Sequence, residues 1–160
     1  MATQAVYSWV PSSARYVEIT GFGPTPRGAG LMCTAQLSWP PKDPAETLDY
    51  VFDITDALFG NEGDAIATLD IGIAPSNPGD LTLQSASADG GRAILWLTGG
   101  QAGTSYAVTV TLGTNSGRIL SRTIYLLVTN LAAANGTENA ITDQTGAPIT
   151  TQSGAAITTS

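Results

Sequence analysis

The side chains best able to do chemistry in this chain are its carboxylates, arginines and tryptophans, because histidine is absent and cysteine occurs once. Lacking histidine, the sequence has neither the commonest general base nor the commonest zinc ligand. Cys33 has no histidine to raise its thiolate fraction and reads as a small buried hydrophobe. Its being alone excludes an intrachain disulfide. No Gly-Lys-Ser/Thr phosphate loop, Gly-x-Ser-x-Gly elbow or glutamate-rich metal helix occurs, and Gly-Phe-Gly at 21–23 is too short to carry a motif. An enzyme is therefore the reading the residues support least; no catalytic residue and no cofactor is assigned.

The carboxylates are unevenly placed. Residues 43–89 hold ten of them and no Lys or Arg. Asp53, Asp56, Glu62 and Asp64 crowd a glycine-containing loop where a calcium site of oxygen ligands is conceivable. The spacing does not match an EF-hand loop, and strand-flanking Asp residues are common turn formers, so solvated acidic edges are the plainer reading and no metal ligand is assigned. In contrast, Arg92, Arg118 and Arg122 lie in a stretch, 90–128, without any acid. If copies pack side by side, the acidic face of one can meet the arginines of the next in a head-to-tail contact that closes into a ring. Arg92, Arg118, Arg122, Trp9 and Trp39 are accordingly the candidate subunit contacts. Trp39, just before Pro40-Pro41, is expected to be exposed, and Trp96, between Leu95 and Leu97, to lie in the core.

The elements that must position these residues read as strands. Residues 99–128 form a hairpin whose first strand places Tyr106, Val108, Val110 and Leu112 on one face and Ala107, Thr109 and Thr111 on the other. Asn115 and Gly117 suit the turn. In the second strand Ile124, Leu126 and Val128 share a face with Arg118 and Arg122, which sit nearer the turn, at the rim of the sheet. Leu48, Tyr50, Phe52 and Ile54 alternate in the same way. A helical turn is expected at 56–59, then strands at 65–73, 81–87 and 93–97, punctuated by Gly and Pro. Six or seven short strands at such intervals predict an all-β, immunoglobulin-like antiparallel sandwich over 47–130. Tyr106, after Gly-Thr-Ser at the start of its strand, is a candidate tyrosine corner.

The flanks differ from this module. Residues 1–46 carry six of the nine prolines, interrupting strand-like pieces at 14–20 and 31–39, yet keep Tyr7, Trp9, Val10, Tyr16, Val17, Phe22 and Leu31. Proline removes ladder donors, while disordered linkers are poor in aromatics, so an extended arm packed on another surface is expected. Residues 131–160 form a Ser/Thr/Gly-rich tail in which Ile-Thr-Asp-Gln-Thr-Gly-Ala-Pro (141–148) is followed by Ile-Thr-Thr-Gln-Ser-Gly-Ala-Ala (149–156). One isoleucine per eight residues builds no core, leaving two readings open: a flexible segment, or strands laid against neighbouring subunits. A net charge of -7 disfavours nucleic acid or an anionic membrane as partner. No apolar run reaches eighteen residues, and the N-terminus lacks the pattern of a signal peptide, so cytoplasmic synthesis is expected.

Residues 48–58 (Leu-Asp-Tyr-Val-Phe-Asp-Ile-Thr-Asp-Ala-Leu), Asp64-Ala65-Ile66-Ala67, Leu95-Trp96-Leu97-Thr98-Gly99-Gly100, Gly103-Thr104-Ser105-Tyr106 and the Gly117-Arg118 to Arg122 stretch together resemble an immunoglobulin-like module of tailed-phage virions. The likeness is to small fibre-to-tail adaptor proteins of short-tailed phages, and it covers about 47–130. The resemblance implies a non-enzymatic virion component at the tail or head-tail connector, present in several copies and holding tail, connector and fibre proteins. The arms match no pattern, so the partners they grasp stay open. Other readings are a capsid decoration or head-completion protein, which uses the same module on another surface, and a carbohydrate-binding module exposing tryptophans.

Overall fold

The structure, a computed structural model, describes residues 9–22 and 36–132. The chain divides into two compact units, 1–129 and 130–160. Of the second only residues 130–132 are described, so the eight-residue repeat lies outside the described residues, as do Tyr7, Leu31 and Cys33.

Eight strands follow in chain order: β1 (Tyr16–Glu18), β2 (Leu37–Lys42), β3 (Thr47–Asp53), β4 (Ile66–Ala74), β5 (Leu81–Asp89), β6 (Arg92–Gly99), β7 (Thr104–Thr114) and β8 (Ile119–Val128). They form two four-stranded sheets, ordered β1-β3-β6-β5 and β2-β8-β7-β4. The expected all-β sandwich is what the chain forms. Strands β3 to β8 take the places of B to G in an immunoglobulin domain, with B-E-D facing C-F-G. The expected helical turn is a single 3-10 turn at Asp56–Leu58.

The alternation read from the sequence fixes which side chains meet. Tyr50 pairs with Leu95 and Phe52 with Ala93 across β3 and β6, while Val108 pairs with Ile124 and Leu112 with Leu120 across β7 and β8. All eight are buried, and with Tyr106, Val110, Leu126, Val128 and Leu97 they make one core between the sheets. Burying such side chains stabilises the fold by roughly 1.5–3 kcal/mol each before the entropy of ordering them is subtracted. Tyr106 forms the expected corner: its hydroxyl accepts from the Gln101 backbone N–H at 2.8 Å and donates to Asp80 Oδ1 at 2.8 Å. Asp80 also accepts from the Asn77 N–H at 2.7 Å, so a single carboxylate ties the β4–β5 connection to the start of β7. At the neighbouring turn Gly100 has φ +102, and a Cβ there would lie 2.8 Å from Val128 Cγ2, so only glycine fits without displacement.

Strands β1 and β2 lie in the stretch, 1–46, that the sequence marks as an arm. β1 runs parallel to β3 and β2 parallel to β8, one at an edge of each sheet. Pro40 and Pro41 fall within β2, where an edge strand has one side that needs no ladder donors. Lys42 closes β2: its buried Nζ donates to the carbonyls of Asp43 (2.8 Å) and Gly99 (2.7 Å), fastening the end of one sheet to the end of β6 in the other.

Candidate interaction surfaces

Trp39 is buried, with 4% of its surface exposed, contrary to the expectation of an exposed ring. It shares the register of Leu37 in β2, pairs with Leu126, donates from Nε1 to Val51 O at 3.3 Å and packs 5.1 Å from the Tyr50 ring. The period of the strand, rather than the prolines after it, decides which way it points, and its ring is consumed inside the monomer. Trp96 shows the opposite error. Ala93, Leu95 and Leu97 take the inward face of β6, which turns Trp96 outward with Ile94. It is half-buried there because Trp9 lies across it edge to face, ring centroids 5.3 Å apart, leaving Trp9 itself 49% exposed.

Trp9 belongs to a segment laid on the outer face of β3 and β6. Ser12 N–H donates to Asp49 Oδ2 at 2.9 Å, and the Arg15 guanidinium pairs with Asp49 Oδ1 while its Nε donates to the Asp49 carbonyl at 2.6 Å. Burial pushes the Asp49 carboxyl pKa up, but these donors outweigh it and hold it below the usual value. Tyr16 donates its hydroxyl to Asp53. Burial and that carboxylate together push the phenol up to about 12.

The three arginines of the acid-free stretch separate. Arg92 Nε lies 3.3 Å from Asp53 Oδ2. Arg118 pairs with Asp64, donates to Asn61 Oδ1 at 2.8 Å and stacks 5.7 Å over the Phe22 ring. Arg122 donates to the Ser121 carbonyl at 2.8 Å and has no ion pair among the described residues. Two of the three arginines thus meet acids of their own chain, pairings that close across 54 residues for Arg118 and 39 for Arg92; linear charge counting misses both.

The acidic loop is likewise consumed in part. Asp53 accepts from the Thr55 N–H at 2.6 Å, and Asp64 from the Ser116 N–H at 3.0 Å. Burial raises both carboxyl pKa values and the donors more than reverse it. Among the described residues no three Asp, Glu, His or Cys side chains are grouped to hold a metal. What the loop does present is Phe59, 91% exposed, between Asp56 and Glu62.

β5 forms where a strand is expected at 81–87, but its exposure is not what a core-forming strand would show. Every residue after Leu81 is exposed, on both faces. Its inward positions, Leu83, Ala86 and Ala88, pair with core residues of β6, yet nothing described covers them. The sequence signal was available: Gln84-Ser85-Ala86-Ser87-Ala88 has no large apolar side chain to bury.

A family model described as "Podophage GP4 fiber-tail adaptor protein gp77" matches residues 42–127, more than half of the chain and nearly the whole span from Lys42 to the end of β8. No curated protein matches.

Proposed function

Since the chain belongs to the podophage fibre-tail adaptor family, we propose that it is a non-enzymatic virion component that joins tail fibres to the tail or head-tail connector. The observation that carries this reading is where the family match falls. It coincides with the sandwich module from Lys42 through β8, whose polar interior is spent on structure: Lys42 on carbonyls, Asp80 on the Tyr106 corner, Asp53 and Asp64 on arginines and backbone donors. A module of this kind, with its buried lysine and buried carboxylates already partnered and a sequence without histidine, suits holding rather than turnover.

Copies stand side by side around the tail. Arg122, the one candidate arginine without a carboxylate partner among the described residues, meets the acidic loop 56–62 of the next copy, and Phe59 supplies an apolar point beside it. Trp9 is the aromatic left open for the same purpose. Deleting the gene is expected to yield phage particles with tails but without fibres, seen by electron microscopy, with complementation restoring them. Fibred tails in the deletion, or the chain located on the head surface, would overturn the assignment.

A further inference from the structure

The unfinished edge of the sandwich at β4 and β5 points to a second docking mode, and we propose that β5 accepts an added strand from another virion protein, one whose extended segment alternates apolar side chains and carries flanking Lys or Arg. The proposal rests on the adaptor reading only for the particle in which the partner resides.

Both β4 and β5 end their sheets, so beyond Ile66, whose N–H donates to Gly90 O at 2.9 Å, one side of each nine-residue strand has no neighbouring strand among the described residues. Natural edges of that length are usually blunted with lysine, proline, inward charge or bulges. Here neither strand contains Lys, Arg or Pro. Bulges interrupt β4 at 66–68 and β5 at 83–85, which leaves 85–89 as an undistorted run. On the inward side, Leu69, Ile71 and Ile73 of β4 are only half-buried, facing Leu83, Ala86 and Ala88. A strand hydrogen-bonded to β5 would extend that sheet to five and set alternate side chains onto Ile71 and its neighbours, the arrangement by which strand addition combines main-chain affinity with side-chain selectivity.

Charge selects the partner. Asp70 and Asp89 on the two strands have no ion pair among the described residues; Arg92, opposite Asp89 in β6, is paired with Asp53 instead, and no Lys or Arg lies within β4 or β5. Joining this edge to the same edge of a second copy would oppose like charges at a cost, whereas a basic segment neutralises them.

The test is photo-crosslinking in the assembled particle that carries the chain, with p-benzoylphenylalanine placed at Ser85 or Ser87, both exposed, and at Tyr125 on the other sheet as control. The expected result is linkage from both β5 positions to one segment of a different virion protein, with Lys or Arg flanking an alternating apolar stretch. Ala86→Lys should cut that linkage about tenfold or more while leaving the purified protein's unfolding midpoint unchanged. Linkage to a second copy, to the chain's own residues 133–160, to an acidic segment, or none from β5 would overturn strand addition. Absence of the chain from fibre-bearing tails would overturn the adaptor reading instead.

Discussion

At the residue scale, the buried side-chain polar groups among the described residues divide into those with partners and one without. The Tyr50 hydroxyl is buried and has no hydrogen-bond partner among the described residues, and burial drives its pKa upward. An unsatisfied buried hydroxyl costs about 1–3 kcal/mol, so Tyr50→Phe is expected to leave stability unchanged or raise it, read from the urea midpoint. Tyr106 is the contrast. Tyr106→Phe deprives both Asp80 and the Gln101 N–H of a partner and is expected to cost about 1–2 kcal/mol; equal midpoints for the two phenylalanine variants would refute this distinction. Both tyrosines are inward-facing from strand period alone, but the sequence distinguishes them only through the Gly-Thr-Ser before Tyr106.

At the element scale, the N-terminal segment behaves as part of the fold. Val17 is buried and pairs in register with Phe52, while Arg15 and Ser12 converge on Asp49. Truncation to begin at residue 20 removes these contacts and uncovers Val51, Ile94 and Trp96 on the outer face of the sheet. Expected outcomes are a red-shifted tryptophan emission, faster acrylamide quenching, and a lower unfolding midpoint, although residues 42–127 still fold. Full retention of the midpoint would show that the segment adds nothing to the module. Gly100→Ala, at positive φ and with its Cβ against Val128, is expected to destabilise by about 2 kcal/mol or more, about 1–2 of it from backbone strain and the rest from the contact. The proline-interrupted strand pattern of 1–46 predicts an arm awaiting another surface. Two short pieces of it, β1 and β2, instead find that surface in their own chain, and β2 keeps its prolines because it lies at a sheet edge.

At the scale of the whole molecule, acid stability follows from which carboxylates hold their protons least. Asp49, Asp53, Asp64 and Asp80 all have folded-state pKa values below the ordinary value of about 3.9. Asp80 is lowered first by the Asn77 N–H and next by Tyr106. A lowered folded pKa contributes stability that is complete above the unfolded value and is lost as pH falls through the folded one. Glu18, raised by its hydrogen bond and proximity to Asp56, works the other way, and is outnumbered. Stability should therefore be nearly flat from pH 7 to about 5 and fall steeply below about 4. Asp49→Asn should lower the plateau and make the acid limb shallower; an acid limb unchanged in slope would remove Asp49 from this account. For the assembly, Arg122→Glu is expected to leave the monomer's midpoint intact and weaken association between copies, measured by sedimentation at several concentrations. Unaltered association would exclude Arg122 as a subunit contact.

The sequence by itself determined the two-layer all-β architecture, the inward faces of β3, β7 and β8, the Tyr106 corner and the likeness to the adaptor module, because each follows from a period of two and from glycines and turn residues local to a strand. Only the tertiary structure decided the fate of Trp39 and Trp96, whose burial depends on the parity of one strand and on what crosses its outer face. It also decided that Arg92 and Arg118 meet acids of their own chain, and that, among the described residues, β5 is exposed on both faces and unpaired along one edge. These outcomes depend on pairings between residues tens of positions apart and on which edge lacks a neighbour, and no window of sequence contains both partners.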